Sequence, residues 1–244
     1  MKNGKRYWLR YGSIRNPRLE EAVREIDRSC FLPDSLKYLG DSNQVVPTCV
    51  RHGRVVSTAS QPSLVVEMLD ILELSGNEIV LDVGTGTGYS TALLSRMVGS
   101  GHVVSIEADA ELCEIAAEKL KGFGIENVTV LNKDGYFGHA EHAPYDAIIS
   151  MVAVGDFPPF WMEQLSVGGQ AVTPVMVYYD YTPVVRLLKT DEETLEGKFV
   201  IDAVFIAMTQ HSTPTVRGRV HGRKITFKLY TDSSGQKKVE ALQS

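Results

Sequence analysis

The chain has 244 residues, 43% hydrophobic and 23% charged, with a formal net charge of −5, a composition that suits one sizeable soluble core. The acidic balance argues against a nucleic-acid footprint spread over the protein, and no apolar run is long enough to cross a bilayer. No apolar stretch follows the basic start Met1–Arg6, which argues against a signal peptide, and the scattered Cys30, Cys49 and Cys113 suit reduced thiols in a cytoplasm.

Asn16-Pro17 predicts a helix start, with Leu19, Ala22, Val23 and Ile26 on one face and Phe31-Leu32-Pro33 as its end. Residues 34–57 read as irregular, punctuated by Gly40, Pro47 and Gly53. Ser60-Gln61-Pro62 opens a second helix, striped by Leu64, Val65, Met68, Leu69 and Leu72 and stopped by Ser75-Gly76-Asn77. Strands and helices then alternate. Strand Ile79–Val83 precedes helix Tyr89–Met97, and strand His102–Glu107 precedes helix Ala110–Phe123, capped by Asp109. Strands Val128–Leu131 and Ala147–Ser150 follow, then a short helix near Pro159–Leu165 and strand Gln170–Val175 after Gly168-Gly169. This rhythm predicts a doubly wound, mostly parallel Rossmann-like α/β sheet covered on both faces. Pro183–Leu188 and Phe199–Ala207 read as antiparallel strands joined by Asp191-Glu192-Glu193. The tail after Pro214 reads as a C-terminal antiparallel hairpin, with Asp232-Ser233-Ser234-Gly235 near or beyond its end.

The strongest motif is Leu81-Asp82-Val83-Gly84-Thr85-Gly86-Thr87-Gly88-Tyr89, between a predicted strand and a predicted helix. Glycines let the backbone turn tightly and let a ligand approach where a Cβ would clash. A dinucleotide fingerprint needs G-x-G-x-x-G, which would put a glycine where Tyr89 stands. The spacing here is G-x-G-x-G, with Asp82 two residues before the first glycine. An acid at that point repels a pyrophosphate and tolerates the cationic methionine portion of S-adenosylmethionine. Asp82–Tyr89, with Thr85 and Gly88 inside it, is therefore the expected cofactor loop. Glu107, ending the next strand, is placed to accept both ribose hydroxyls, and Asp134-Gly135 to reach the adenine amino group. The plainer alternatives are a solvated acid for Glu107 and a capped turn for Asp134.

Other segments extend the pattern. They are Leu9–Ile14, Leu19–Ala22 and Phe31–Pro33 near the start, then the T-x-S-x-P element Thr58-Ala59-Ser60-Gln61-Pro62. Ala143–Ile148 and Gln164–Gly169 come later. With the glycine loop, these segments resemble the protein-L-isoaspartate O-methyltransferase family over roughly residues 8–210. The resemblance implies a carboxyl O-methyltransferase that esterifies the free carboxylate of an isoaspartyl residue. The ester closes to a succinimide, which hydrolyses partly to aspartate. The same resemblance places Thr58 and Ser60 beside the substrate carboxylate and carries over Gly84, Gly86, Glu107 and Asp134 as contacts of S-adenosylmethionine. Three regions are expected: an N-terminal helical, substrate-side region (1–75), a cofactor-binding core (76–210) and an extension (211–244). A carboxylate is already ionised at neutral pH, so it needs no base; it needs to be held in line with water excluded. Ser60 can donate a hydrogen bond to one carboxylate oxygen, and the helix start beside it favours an anion. Alternatively, Ser60 only caps its helix.

Some segments differ from the repair pattern. Ser57–Val65 is closer to a branch that methylates an ordinary aspartate in ribosomally made peptides, giving an aspartimide. Met151-Val152-Ala153-Val154 and Phe205-Ile206-Ala207-Met208-Thr209 also differ, and the tail after Pro214 lies outside the resemblance. The expectation is thus a peptide-modifying enzyme whose partner bears an aspartyl or isoaspartyl residue, with no nucleic acid or membrane partner. Isoaspartyl repair is the alternative; a small-molecule methyltransferase and a non-catalytic cofactor-binding module stand behind it. His139 and His142 share a segment with Glu141 but lack a third ligand, so no metal site is expected. Tyr178-Tyr179-Asp180-Tyr181 reads as an aromatic strand edge or a substrate wall. Arg217, Arg219, Arg223, Lys224 and Lys228 make the tail basic, as a solvated hairpin or as a dock for an acidic peptide.

Overall fold

The computed structural model describes residues 14–208, 216, 218 and 220–243. The expected segment Leu9–Ser13, and Thr209, His211, Arg217 and Arg219, lie outside the described residues. Two compact units are present. The first comprises the chain up to Asn77 together with Thr85–Asn132; the second comprises Glu78–Gly84 and the chain from Lys133 onward.

In the first unit, α1 (Pro17–Glu25) starts where expected, because the Asn16 side chain accepts from the Arg18 and Leu19 amides at 3.0 and 3.3 Å. Leu19, Ala22, Val23 and Ile26 are buried. The helix ends at Glu25 rather than at Phe31-Leu32-Pro33. Two 3₁₀ turns, Arg28–Phe31 and Asp34–Leu39, follow it.

The stretch expected to be irregular contains an antiparallel hairpin, β1 (Val46–Arg51) and β2 (Arg54–Ala59). Its two-residue turn has positive φ at both His52 (51°) and Gly53 (74°), which matches the twist of a tight hairpin. Pro47 sits beside a register shift, the kind of place where a strand tolerates proline. Helix α2 (Pro62–Asp70) stops before Leu72, since Glu73 adopts φ 52°. The Asp70 carboxylate takes the Arg15 and Asn16 amides at 3.1 and 2.9 Å, tying the end of α2 to the start of α1.

Helix α3 (Tyr89–Val98), β4 (His102–Glu107), α4 (Ala110–Gly122) and β5 (Val128–Asn132) complete the first unit. β4 and β5 pair in parallel from Val103↔Val128 to Glu107↔Asn132. Asp109 caps α4 by accepting from the Leu112 amide at 3.2 Å.

The second unit holds β3 (Ile79–Val83), β6 (Tyr145–Ser150), α5 (Pro159–Gln164) and β7 (Leu165–Pro174). β8 (Val184–Asp191), β9 (Thr194–Ile201), β10 (Lys224–Thr231) and β11 (Lys237–Gln243) follow. β3, β6 and β7 run parallel, and β7 through β11 alternate in direction. The strand order is β11-β10-β9-β8-β7-β6-β3 in the second unit and β4-β5 in the first, which is a mostly parallel Rossmann-like core with an antiparallel extension.

Several boundaries differ from expectation in this unit. β7 begins at Leu165, with Gly168 (φ 84°) and Gly169 inside a bulge. β9 begins at Thr194, directly after the acidic turn, and residues 202–206 are not strand. Asp232–Gln236 forms the turn of the last hairpin rather than lying at its end. The Asp232 carboxylate takes the Ser234 and Gln236 amides there. Tyr178–Tyr181 is a tight turn with Tyr179 exposed, rather than a strand edge.

In the core of this unit the buried Phe157 ring lies 5.7 Å from that of Trp161 and 5.8 Å from that of Phe227. Lys189 is buried beside them. Its ammonium donates to the Met162 and Leu165 carbonyls at 2.8 Å, satisfying the open end of α5.

Candidate active site

The first unit carries the greater part of the glycine loop. The Thr85 amide donates to the Ile106 carbonyl at 3.2 Å, and its hydroxyl meets Ser105 Oγ at 2.7 Å. Thr85 is therefore a buried peg that fixes the loop against β4. Gly86 (φ 54°) and Gly88 (φ 86°) take left-handed conformations, and Gly88 is the N-cap of α3. Tyr89 is buried and packs on Phe31, with ring centroids 5.8 Å apart.

Glu107 is partly exposed, and both of its carboxylate oxygens are engaged by the backbone. Its Oε2 accepts from the Gly86 amide at 2.8 Å and its Oε1 from the Asp109 amide at 3.1 Å. A carboxylate oxygen has two acceptor positions, so each retains one for a hydroxyl. A vicinal diol matches that pair of remaining acceptors, which is the fit a ribose requires. Beyond it, Asp109 and Glu111 are both paired with Arg51 of β1, an unexpected tie between the hairpin and α4. The Arg51 guanidinium holds the Asp109 carboxyl below its usual range.

The T-x-S-x-P element lies at the end of β2. Ser57 is buried and accepts from Thr48 Oγ1 at 3.2 Å, while Thr58 and Ser60 are partly exposed. The N-cap of α2 is Gln61, whose side chain caps no helix amide and instead donates from Nε2 to Ser63 Oγ at 2.8 Å. Ser60 is thus not the helix cap. The first free amide, from Ser63, is taken by Asn43 Oδ1 at 3.1 Å, which leaves less of the helix start open to an anion. Arg28 donates to the Ala59 and Ser60 carbonyls at 3.3 and 3.2 Å. No local motif marks Arg28 in the sequence, and its role was not expected.

The second unit carries Asp82, Gly84, Asp134 and Gly135. Asp82 is fully buried in β3, in register with Ile149 of β6. Gly84 has φ 89°, and a Cβ there would lie 3.1 Å from Val152 Cγ1. Asp134 does cap a turn: its Oδ1 accepts from the Tyr136 amide at 3.0 Å, opening the 3₁₀ turn Gly135–Phe137. Gly135 is sterically required, since a Cβ would fall 2.4 Å from Val83 Cγ1. Trp161 Nε1 donates to its carbonyl at 2.8 Å, another contact the sequence did not announce.

Met151–Val154 and Phe205–Met208, the two segments that depart from the repair pattern, are hydrogen-bonded together. The Ala153 amide donates to the Ile206 carbonyl at 2.8 Å and the Met208 amide to the Ala153 carbonyl at 2.7 Å. His139 is buried, and its Nδ1 lies 3.0 Å from Lys133 Nζ. An ammonium only donates, so Nδ1 accepts and the proton sits on Nε2. Among the described residues no three His, Cys, Asp or Glu side chains converge as a metal site. No helix among them is long and apolar enough to cross a membrane.

Comparison with known proteins agrees with this geometry. The family model described as protein-L-isoaspartate(D-aspartate) O-methyltransferase matches residues 6–213. A protein-L-isoaspartate O-methyltransferase of Thermotoga maritima is 35% identical over 205 residues, which span 83% of this chain and 64% of that protein. One from Ignicoccus hospitalis is 37% identical over 182 residues, 74% of this chain and 84% of the relative. A solved protein-L-isoaspartate O-methyltransferase superposes with a TM-score of 0.72 at 35% identity, covering 78% of this chain and 61% of its own. A putative Plasmodium falciparum homologue, solved with S-adenosyl-L-homocysteine, shares the fold at TM-score 0.66 and 18% identity, over 81% of this chain and 93% of its own. The chain therefore belongs to the protein-L-isoaspartate(D-aspartate) O-methyltransferase family of S-adenosylmethionine-dependent methyltransferases, with S-adenosylmethionine as its cofactor.

Proposed function

We propose that the protein methylates the free carboxylate of isoaspartyl residues in peptides and proteins. The observation that carries this reading is the T-x-S-x-P element: it is clamped from below by Arg28, and Ser60 is relieved of helix capping by Gln61. Glu107, with one acceptor position left on each oxygen, is proposed to take the ribose hydroxyls. The Thr85–Tyr89 turn is proposed to let the methionine portion approach, and Asp82, Gly84, Asp134 and Gly135 to complete the cofactor contacts. When bound, S-adenosylmethionine supplies a methyl carbon on a cationic sulfur, electrophilic enough for a carboxylate oxygen to take it.

The protein's own task is then orientation. The Ser60 hydroxyl donates to one oxygen of the substrate carboxylate and leaves the other to react, and Thr58 flanks it. No proton is removed, because the carboxylate is ionised at neutral pH. The resulting ester has a far better leaving group, and the next residue's amide nitrogen closes the succinimide with loss of methanol.

The narrower expectation, a peptide-pathway enzyme acting on ordinary aspartate, rests on Ser57–Val65 and on the departures at Met151–Val154 and Phe205–Thr209. The relatives named above carry the isoaspartyl description, so that substrate takes first place. The test is methyl transfer from labelled S-adenosylmethionine to matched isoaspartyl and aspartyl peptides. Base-labile label on the isoaspartyl peptide alone supports repair. Label confined to aspartyl peptides would overturn it, and no label on either would leave a binding module.

A further inference from the structure

Arg28 is 2% exposed, yet its guanidinium faces carbonyl oxygens. Nη1 donates to the Leu39 and Ser42 carbonyls at 3.2 and 3.3 Å. Nη2 donates to Gln44 at 3.0 Å, Ala59 at 3.3 Å and Ser60 at 3.2 Å. Among the described residues Nε is buried with no hydrogen-bond partner, and after burial the group that acts on the guanidinium is the Tyr89 phenol, not a carboxylate. Buried cations ordinarily have an anionic partner. Carbonyl dipoles solvate a charge and hold it in place, but they do not neutralise it. Arginine stays protonated even where burial lowers its pKa, as it does here. A full positive charge therefore lies one hydrogen bond from the peptide unit joining Ser60 to Gln61.

We propose that Arg28 is a positioning residue for the substrate: it fixes the Ala59-Ser60 peptides, and its unneutralised charge selects an ionised carboxylate over the neutral ester that the reaction makes. This rests on the reading of Thr58 and Ser60 as substrate contacts. The charge draws in the carboxylate and loses its hold once methylation has removed the negative charge, so it favours product release. A unit charge about 8 Å from a carboxylate, at an effective dielectric near 20, changes affinity more than tenfold. Its effect belongs to substrate binding, since the cation stabilises the carboxylate before reaction more than after it.

The test compares three peptides of one sequence, carrying isoaspartate, isoasparagine or isoaspartyl methyl ester, as substrate or competitor at saturating S-adenosylmethionine. Wild type is expected to bind the carboxylate at least about tenfold better than the amide or ester, and to keep that ratio near 0.5 M NaCl because a buried charge is poorly screened. Arg28→Lys should keep most of the ratio even where turnover falls. Arg28→Met should bring it toward one through the KM for peptide, with affinity for S-adenosylhomocysteine unchanged. A residue that only braced the loop would weaken carboxylate, amide and ester together. A wild-type ratio in Arg28→Met overturns the proposal. Should Arg28→Met fail to fold, the wild-type ratio decides, and its absence or collapse in salt overturns the proposal equally. A wild type that methylates neither isoaspartyl nor aspartyl peptide refutes the functional reading itself and takes this proposal with it.

Discussion

Glu107→Ala is the perturbation whose magnitude follows most directly from the geometry. Each carboxylate oxygen accepts one backbone amide, from Gly86 and from Asp109. If the remaining acceptor positions hold a ribose, alanine removes hydrogen bonds to a charged acceptor, worth about 1.5–3 kcal/mol in a partly solvated site. The dissociation constant for S-adenosylhomocysteine should rise by about 10- to 150-fold. The two amides also lose their partner, so the apo protein should be destabilised by about 1–2 kcal/mol. Glu107→Gln sharpens the case. Its amide group must present a donor to one of two amide donors, so it should order the loop no better than alanine while keeping one acceptor for the ligand. Isothermal titration with S-adenosylhomocysteine, beside urea unfolding of the apo protein, reads both effects. Wild-type affinity in Glu107→Ala, with the apo protein destabilised, would show that Glu107 only builds the loop and would refute the ribose assignment.

Ser60→Ala should lower kcat for an isoaspartyl peptide by about tenfold or more while leaving cofactor affinity and melting temperature unchanged, because Gln61 holds the cap position. A lowered melting temperature with full turnover would restore the capping role. Gly135→Ala should cost about 1–3 kcal/mol, because its Cβ meets Val83 at 2.4 Å. Gly88→Ala should cost roughly 1 kcal/mol from its φ of 86° alone, its nearest neighbour being at an ordinary 3.5 Å; chemical denaturation showing the reverse order would contradict the packing. Burial first, and then Lys133, hold the His139 imidazole below its ordinary pKa. Below about pH 6.5 the unfolded chain therefore binds a proton that the folded chain refuses, and stability falls with pH. His139→Gln should lose less stability than wild type between about pH 7.5 and 5.5; equal losses in urea melts would discount the histidine.

Much of the alternating core was legible because its signals are local. β3 and β4 are buried runs ended by Gly84 and by Glu107, and the structure starts and stops them where the sequence does. The β1–β2 hairpin was not legible. Its turn is His52-Gly53 rather than the Asn-Gly or Asp-Gly that marks such turns, and Pro47 reads as a break until a bulge accommodates it. β7 was dated too late for a related reason, since paired glycines signal a boundary while a bulge keeps them inside the strand.

The site divides along the same physical line. Glycine spacing and a strand-terminal acid can be read because the residues that need one another are near in sequence or repeat a known register. Whether Ser60 caps a helix or meets a substrate could not be read, because both roles ask for a hydroxyl before a proline. The structure gives the cap position to Gln61, which removes one of the two roles from Ser60. What then holds Ser60 in place comes from 32 residues away, through a guanidinium that also gathers Leu39, Ser42 and Gln44. Five carbonyls from two separate segments have no composition and no period, so no pattern in the chain announces them. A buried arginine that meets only backbone is invisible to sequence reasoning for the same reason that it is informative in the structure: its charge has been left unbalanced where an anionic substrate is proposed to bind.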